Sequence, residues 1–121
     1  MLRDRLRSFT YAFKGIADVV LHQANMQIHV VVMLLVLFIA FLLPLHALEW
    51  AVLLICMGMV LSAELFNSAL EYLTDLISPD YHPLAGKAKD AAAGAVLVCA
   101  FVAVLVGLLI LGPKLMIFLG W

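Results

Sequence analysis

Glu64-Leu65-Phe66-Asn67-Ser68-Ala69-Leu70-Glu71-Tyr72-Leu73-Thr74-Asp75 follows an apolar run long enough to enter a bilayer, yet it carries two glutamates, an asparagine and an aspartate. At 100° per residue from Glu64, Asn67 falls at about −60°, Ser68 at about +40°, Glu71 at about −20° and Asp75 at about +20°. These five residues share one narrow stripe, and Phe66, Ala69 and Leu73 lie opposite. An ionised carboxylate at the bilayer centre costs roughly 2.5–3.5 kcal/mol on insertion scales. The stripe is therefore expected to face protein, water or a bound cation, and not lipid.

The rest of the chain fits that setting. It has 121 residues, 67% of them hydrophobic and 12% charged. A soluble domain is about 45–50% apolar and about 25% charged. The composition indicates an all-α membrane protein of one domain, residues 1–121. Cys56 and Cys99 both sit in apolar runs and read as small packing residues.

Residues 1–23 place Leu2, Leu6, Phe9, Phe13 and Ile16 at three- and four-residue steps with arginines between them. The pattern predicts an amphipathic helix lying in the membrane interface. It does not read as a cleaved signal, because no small-residue cleavage site follows. The first span is expected at about 24–45. Its clean apolar part, Val30 to Leu43, is shorter than the roughly 20 residues a span needs. The helix should therefore reach back through His29 and Asn25 toward His22. On one continuous helix Asp18, His22, Asn25 and His29 form a second polar stripe within about 60°, and Gln23 lies well off it.

Pro44 to Glu49 reads as a turn, and the second span as about 49–73. Ser78 to Lys87 reads as a loop, since two prolines and a glycine interrupt the periodicity. The third span is expected at about 89–112, ended by Gly112-Pro113. Its early turns, Ala91 to Ala95, are nearly all small, which lets helix backbones approach closely in lipid. Gly86-Lys87-Ala88-Lys89-Asp90 is not a P-loop: the upstream glycine and the Ser/Thr after the lysine are missing, and no strand precedes it.

Six of the seven Lys/Arg residues lie in the N-terminal segment or at the loop before the third span; Lys114 is the exception. By the positive-inside rule both segments are cytoplasmic. The polar end of the second span, the histidine stripe of the first, and Lys89-Asp90 then meet at one interface. Two carboxylates seven residues apart with an amide between them are hard oxygen ligands, better suited to magnesium than to zinc. Lys89 could balance phosphate charge, and a carboxylate near the membrane could accept a proton from a lipid hydroxyl. These residues alone leave three readings open: metal-assisted phosphoryl transfer, proton or metal transport through buried carboxylates, and structural polar packing.

Glu64-x-x-Asn67-Ser68-Ala69-x-Glu71-x-x-x-Asp75, Tyr81-His82, and Ala88-Lys89-Asp90-x-x-Ala93-x-Ala95-Val96 together resemble the prokaryotic diacylglycerol kinase family of small three-span lipid kinases. The resemblance runs over essentially the whole chain. Asn25-Met26-Gln27-Ile28-His29 and Ser78 to Leu84 look more like the undecaprenol kinase branch. It implies a homotrimer with active sites between subunits, each protomer having a surface helix and three spans. It also implies a bacterial inner-membrane location, ATP as phosphoryl donor, Mg2+ as cofactor, a lipid alcohol as acceptor, and no nucleic-acid partner. By match, Glu64 would be the general base and Glu71 the magnesium ligand, with Asn67 supporting them. Lys89 and Asp90 would contact the nucleotide, with Tyr11, Tyr81 and His82 as further nucleotide-side candidates. Undecaprenol is the expected acceptor and diacylglycerol the alternative; a catalytically silent or ion-coupled protein on the same scaffold is the non-enzyme reading. One departure stands out. The family usually has a second metal-binding glutamate where this chain has Gln23, which keeps an oxygen and loses a charge. Asp18 is a nearby acid that could compensate. At the family's N-terminal arginine position stands Asp4, flanked by Arg3 and Arg5.

Overall fold

The computed structural model describes the chain from Leu2 to Trp121, and its side chains from Asp4 onward; the Leu2 and Arg3 side chains lie outside the described residues. Four helices follow in order: α1 (Leu2–His22), α2 (Ala24–Leu42), α3 (Ala47–Ile77) and α4 (Pro83–Phe118). The described residues contain no strand. α2, α3 and α4 are each long and apolar enough to cross a bilayer. α3 and α4 form an antiparallel hairpin packed along its length; α2 lies on α3, and α1 touches α2 and α3.

α1 forms where the amphipathic pattern predicts. Leu6, Phe9, Phe13 and Ile16 are all exposed, which suits a helix that lays its apolar residues into the interface. The continuous helix expected through His22 and Asn25 does not form. Gln23 adopts extended backbone, φ −101° and ψ 114°. Its N–H closes α1 onto the Val19 carbonyl at 2.9 Å, and its own carbonyl accepts from Gln27 N–H to open α2 at 3.1 Å. One residue thus separates the surface helix from the first span, and the predicted Asp18–His29 stripe is split between them.

α2 ends at Leu42 because Leu43 precedes Pro44. Proline disfavours helical backbone in the residue before it, and Leu43 is extended at φ −109° and ψ 149°. α3 starts with the Glu49 carboxylate accepting from His46 N–H at 2.8 Å, a partner for an otherwise unpaired group at the helix start. With 31 residues, α3 is about 46 Å long, well beyond the roughly 30 Å hydrocarbon core. Glu64 lies about 26 Å along it and Asp75 about 42 Å. The stripe therefore begins near the far edge of the hydrocarbon and runs out past it.

α4 exceeds its expected bounds at both ends. Pro83 occupies the first turn, where its missing N–H costs nothing and its φ is preset. The His82 ring accepts from Leu84 N–H at 3.2 Å. Leu84 to Lys87, expected in the loop, are therefore helical. At the other end the helix continues through Pro113 to Phe118. Spanning helices tolerate proline when local adjustments satisfy the freed carbonyl.

The end of the bundle away from the stripe is stapled. Lys114 Nζ donates to the Pro44 carbonyl at 2.9 Å and pairs with Glu49 at 3.1 Å. Phe41 and Trp50 stack with ring centroids 4.9 Å apart. Lys114→Met should leave Glu49 half-buried without its cation and the turn carbonyl without its donor. The expected cost is about 1–3 kcal/mol, read as a lower thermal midpoint in detergent; an unchanged midpoint would show that the staple is not holding the turn.

Candidate active site

The membrane-side part of the α3 polar stripe faces inward as its burden of charge requires, while Asp75 at its aqueous end is exposed. Glu64, Asn67 and Ser68 are 2%, 4% and 1% exposed, while Phe66 opposite is 72% exposed. Glu71 is half-buried and accepts from the Asn67 amide nitrogen at 3.1 Å. That contact turns the Asn67 carbonyl oxygen away from Glu71. Asn67 Oδ1, Glu64 Oε2 and Ser68 Oγ are all buried without a hydrogen-bond partner. A buried polar group left unmade costs about 1–3 kcal/mol, so three such atoms on two turns mark a place built to receive something.

Ser68 Oγ can donate or accept, whereas Glu64 Oε2, when ionised, and Asn67 Oδ1 only accept and call for a proton donor or a cation. The half-buried Glu71 carboxylate beside them suits magnesium, which takes one or two carboxylates and completes its shell with water and phosphate oxygens, and it leaves Glu64 free to accept a proton. These residues do not make a closed protein cage: among the described residues no group of three His, Cys, Asp or Glu side chains converges on one point.

Beyond the stripe lies a cleft of about 180 Å3 lined by Thr74, Asp75, Tyr81, His82, Gly86 and Lys89 among others. Here the loop and the start of α4 meet the end of α3. Lys89 pairs with Asp75 across the cleft. Three of the expected nucleotide-side residues, Tyr81, His82 and Lys89, are thus brought together. Asp90 and Tyr11 are not among the lining residues; Tyr11 is 67% exposed on α1.

Gln23 is held elsewhere. Its amide nitrogen donates to the Tyr72 hydroxyl at 3.3 Å, and Tyr72 donates its one proton to Asp18 Oδ2 at 3.2 Å. His22 leans on the same carboxylate at 3.1 Å. This chain of bonds joins the surface helix to α3 one residue from Glu71. Tyr72 lies about 80° around the helix from Glu64, off the polar stripe, so hydropathy spacing does not mark it. The bond directions also explain why an amide suits position 23. A carboxylate there would compete with Asp18 for a single hydroxyl proton.

Fold and site define a helical membrane protein that carries a buried acid–amide cluster beside a polar cleft bordered by Lys89, His82 and two aspartates. The family model for prokaryotic diacylglycerol kinase matches residues 10–111, and the chain belongs to that family. It is 43% identical over 109 residues to the undecaprenol kinase of Bacillus subtilis (strain 168), covering 90% of this chain and 89% of that one. It is 44% identical over 112 residues to the diacylglycerol kinase of a Synechocystis species, covering 92% of this chain and 64% of that one. With the Escherichia coli K12 diacylglycerol kinase it shares 33% over 100 residues, 83% of this chain and 82% of the relative.

Tyr72→Phe removes the bridging hydroxyl and keeps the ring. It should loosen α1 from α3 at a cost of about 1 kcal/mol. Amide exchange should speed up around Gly15–Gln23 and stay unchanged along α3. Equal protection of α1 in both proteins would show that the bridge does not dock it.

Proposed function

We propose that this protein is a lipid kinase of the cytoplasmic membrane, transferring the γ-phosphate of ATP to the hydroxyl of a membrane lipid. The observation that carries the reading is the buried, unpartnered Glu64 Oε2, near the membrane edge and beside the acid–amide pair of Glu71 and Asn67. Undecaprenol is the preferred acceptor, supported by the similarity to the B. subtilis undecaprenol kinase. Diacylglycerol is the alternative.

Phosphoryl transfer needs positioning and charge neutralisation more than covalent chemistry. In this reading Glu64 takes the proton of the lipid hydroxyl as the alcohol oxygen attacks the γ-phosphorus. The bond from that phosphorus to the β-γ bridging oxygen breaks, and ADP leaves. Lys89, paired with Asp75 in the nucleotide-free chain, exchanges that partner for a phosphate oxygen. Tyr81 and His82 border the cleft where the nucleoside end would lie, and Asp90 and Tyr11 are assigned to the nucleotide by family resemblance. Magnesium, held by Glu71 with Asn67 beside it and Gln23 a neutral candidate, would offset the charge of the phosphates. We also infer that the N-terminus and the loop before α4 are cytoplasmic, and that three copies assemble. The assembly would supply partners to polar atoms that one chain leaves unpaired.

The test is transfer from γ-labelled ATP in lipid micelles, offering undecaprenol and diacylglycerol separately. The label should enter undecaprenol, and Glu64→Gln should reduce transfer about 10²–10⁴-fold while the protein stays folded. Folded wild-type protein that labels neither lipid would contradict the assignment.

A further inference from the structure

The bonds between Asp18, Tyr72 and Gln23 run in one direction only. The Tyr72 hydroxyl donates to Asp18 Oδ2 at 3.2 Å, and His22 Nδ1 lies 3.1 Å from the other oxygen of that carboxylate. A hydroxyl has one proton. With it given to Asp18, the Tyr72 oxygen can only accept from Gln23, and it does so at 3.3 Å. The direction of the chain thus fixes which end of the Gln23 amide faces Tyr72. The nitrogen is bonded and the oxygen is left over: among the described residues it has no hydrogen-bond donor. Gln23 is also half-buried, and its backbone is held from both sides, by the Val19 carbonyl at 2.9 Å and the Gln27 N–H at 3.1 Å.

We propose that Asp18 and Tyr72 are positioning residues for Gln23, presenting its side-chain oxygen as a ligand to the divalent cation that accompanies the phosphoryl donor. The inference rests on the kinase reading and deepens it. Gln23 carries no charge, and affinity for a hard dication follows the charge of its ligands. The chain of bonds returns part of that charge. Asp18 draws the Tyr72 proton toward itself, which leaves the phenol oxygen more negative and a stronger acceptor. That oxygen draws in turn on the Gln23 N–H, and an amide that donates more strongly holds more negative charge on its carbonyl oxygen. Bonds in such a chain strengthen one another by about 10–30% each. Outer partners that orient and tune a metal ligand change metal affinity about 10–100-fold when removed. Tyr72 also sets Gln23 at the turn of α3 that carries Glu71, the carboxylate assigned to the same cation.

The test is calorimetry on the full-length protein in lipid micelles, with the β,γ-methylene analogue of ATP titrated once as its Mn2+ complex and once free of metal. Asp18→Asn keeps an acceptor for the Tyr72 proton, so α1 stays docked, and removes only the charge. It should weaken binding of the Mn2+ complex about 10-fold and leave the metal-free analogue within about twofold. Tyr72→Phe should weaken the complex at least as much. In a Gln23→Leu background Asp18→Asn should have no further effect, because the ligand it serves is gone. Asp18→Asn combined with Gln23→Glu moves the charge onto position 23 and should restore the affinity. The proposal is overturned if Asp18→Asn leaves binding of the complex unchanged, or weakens the complex and the metal-free analogue alike, as loosening of α1 would. It is also overturned if the effects of Asp18→Asn and Gln23→Leu simply add, or if the wild type binds the complex no more tightly than the free analogue. Metal-dependent binding that follows the expected pattern, with no transfer to any lipid, would refute the kinase reading and leave the role of Asp18 and Tyr72 standing.

Discussion

A bilayer offers no partner to a polar side chain, so every such group on a spanning helix must find one in protein, water or ligand. α3 carries five of them on one stripe, and the molecule is arranged around that fact. Glu64, Asn67 and Ser68 point inward and are almost fully buried. Glu71 and Asp75 lie further along, where the helix outruns the hydrocarbon, and find Asn67 and Lys89. The pairing improves toward the aqueous end. The deepest members, which would cost most if left alone, are the ones with unpartnered atoms. That inversion is hard to reconcile with packing as the purpose of the stripe. It is what a site looks like when its ligand has to supply the last bonds.

The two ends of the bundle are built for different tasks. At one, Lys114 ties the α2–α3 turn to α4 through the Pro44 carbonyl and Glu49, and an aromatic pair covers the corner. Nothing there is left open to chemistry. At the other, the surface helix is held to α3 by single hydrogen bonds: Gln23 to Tyr72, Tyr72 to Asp18. Those contacts hold a surface helix beside the cluster without burying it. A fixed hairpin carrying the acids, with a more lightly held helix at its mouth, suits an enzyme that must admit a nucleotide from water and an alcohol from lipid.

Much of this was legible in the chain itself. The inward face of α3 follows from the spacing of Glu64, Asn67, Ser68, Glu71 and Asp75, because lipid penalises the alternative. The helices also follow, although α3 and α4 run further than hydropathy implies, since a helix has no reason to stop where the hydrocarbon does. The break at Gln23 was not legible. No proline or glycine marks it, and the extended backbone there depends on how α1 docks. The docking uses Tyr72, which belongs to no polar stripe. The motif marks Lys89, but its pairing with Asp75 depends on how tightly the loop closes.

The central claim is that the α3 cluster is kept for chemistry at the expense of stability. Glu64→Met, which fills the same space with an apolar side chain, measures it directly through the thermal midpoint in lipid micelles. The account predicts a midpoint equal to or above that of the wild type, because a buried carboxylate oxygen without a partner is removed. A clearly lower midpoint would contradict it, and would make Glu64 a structural contact that holds the helices together.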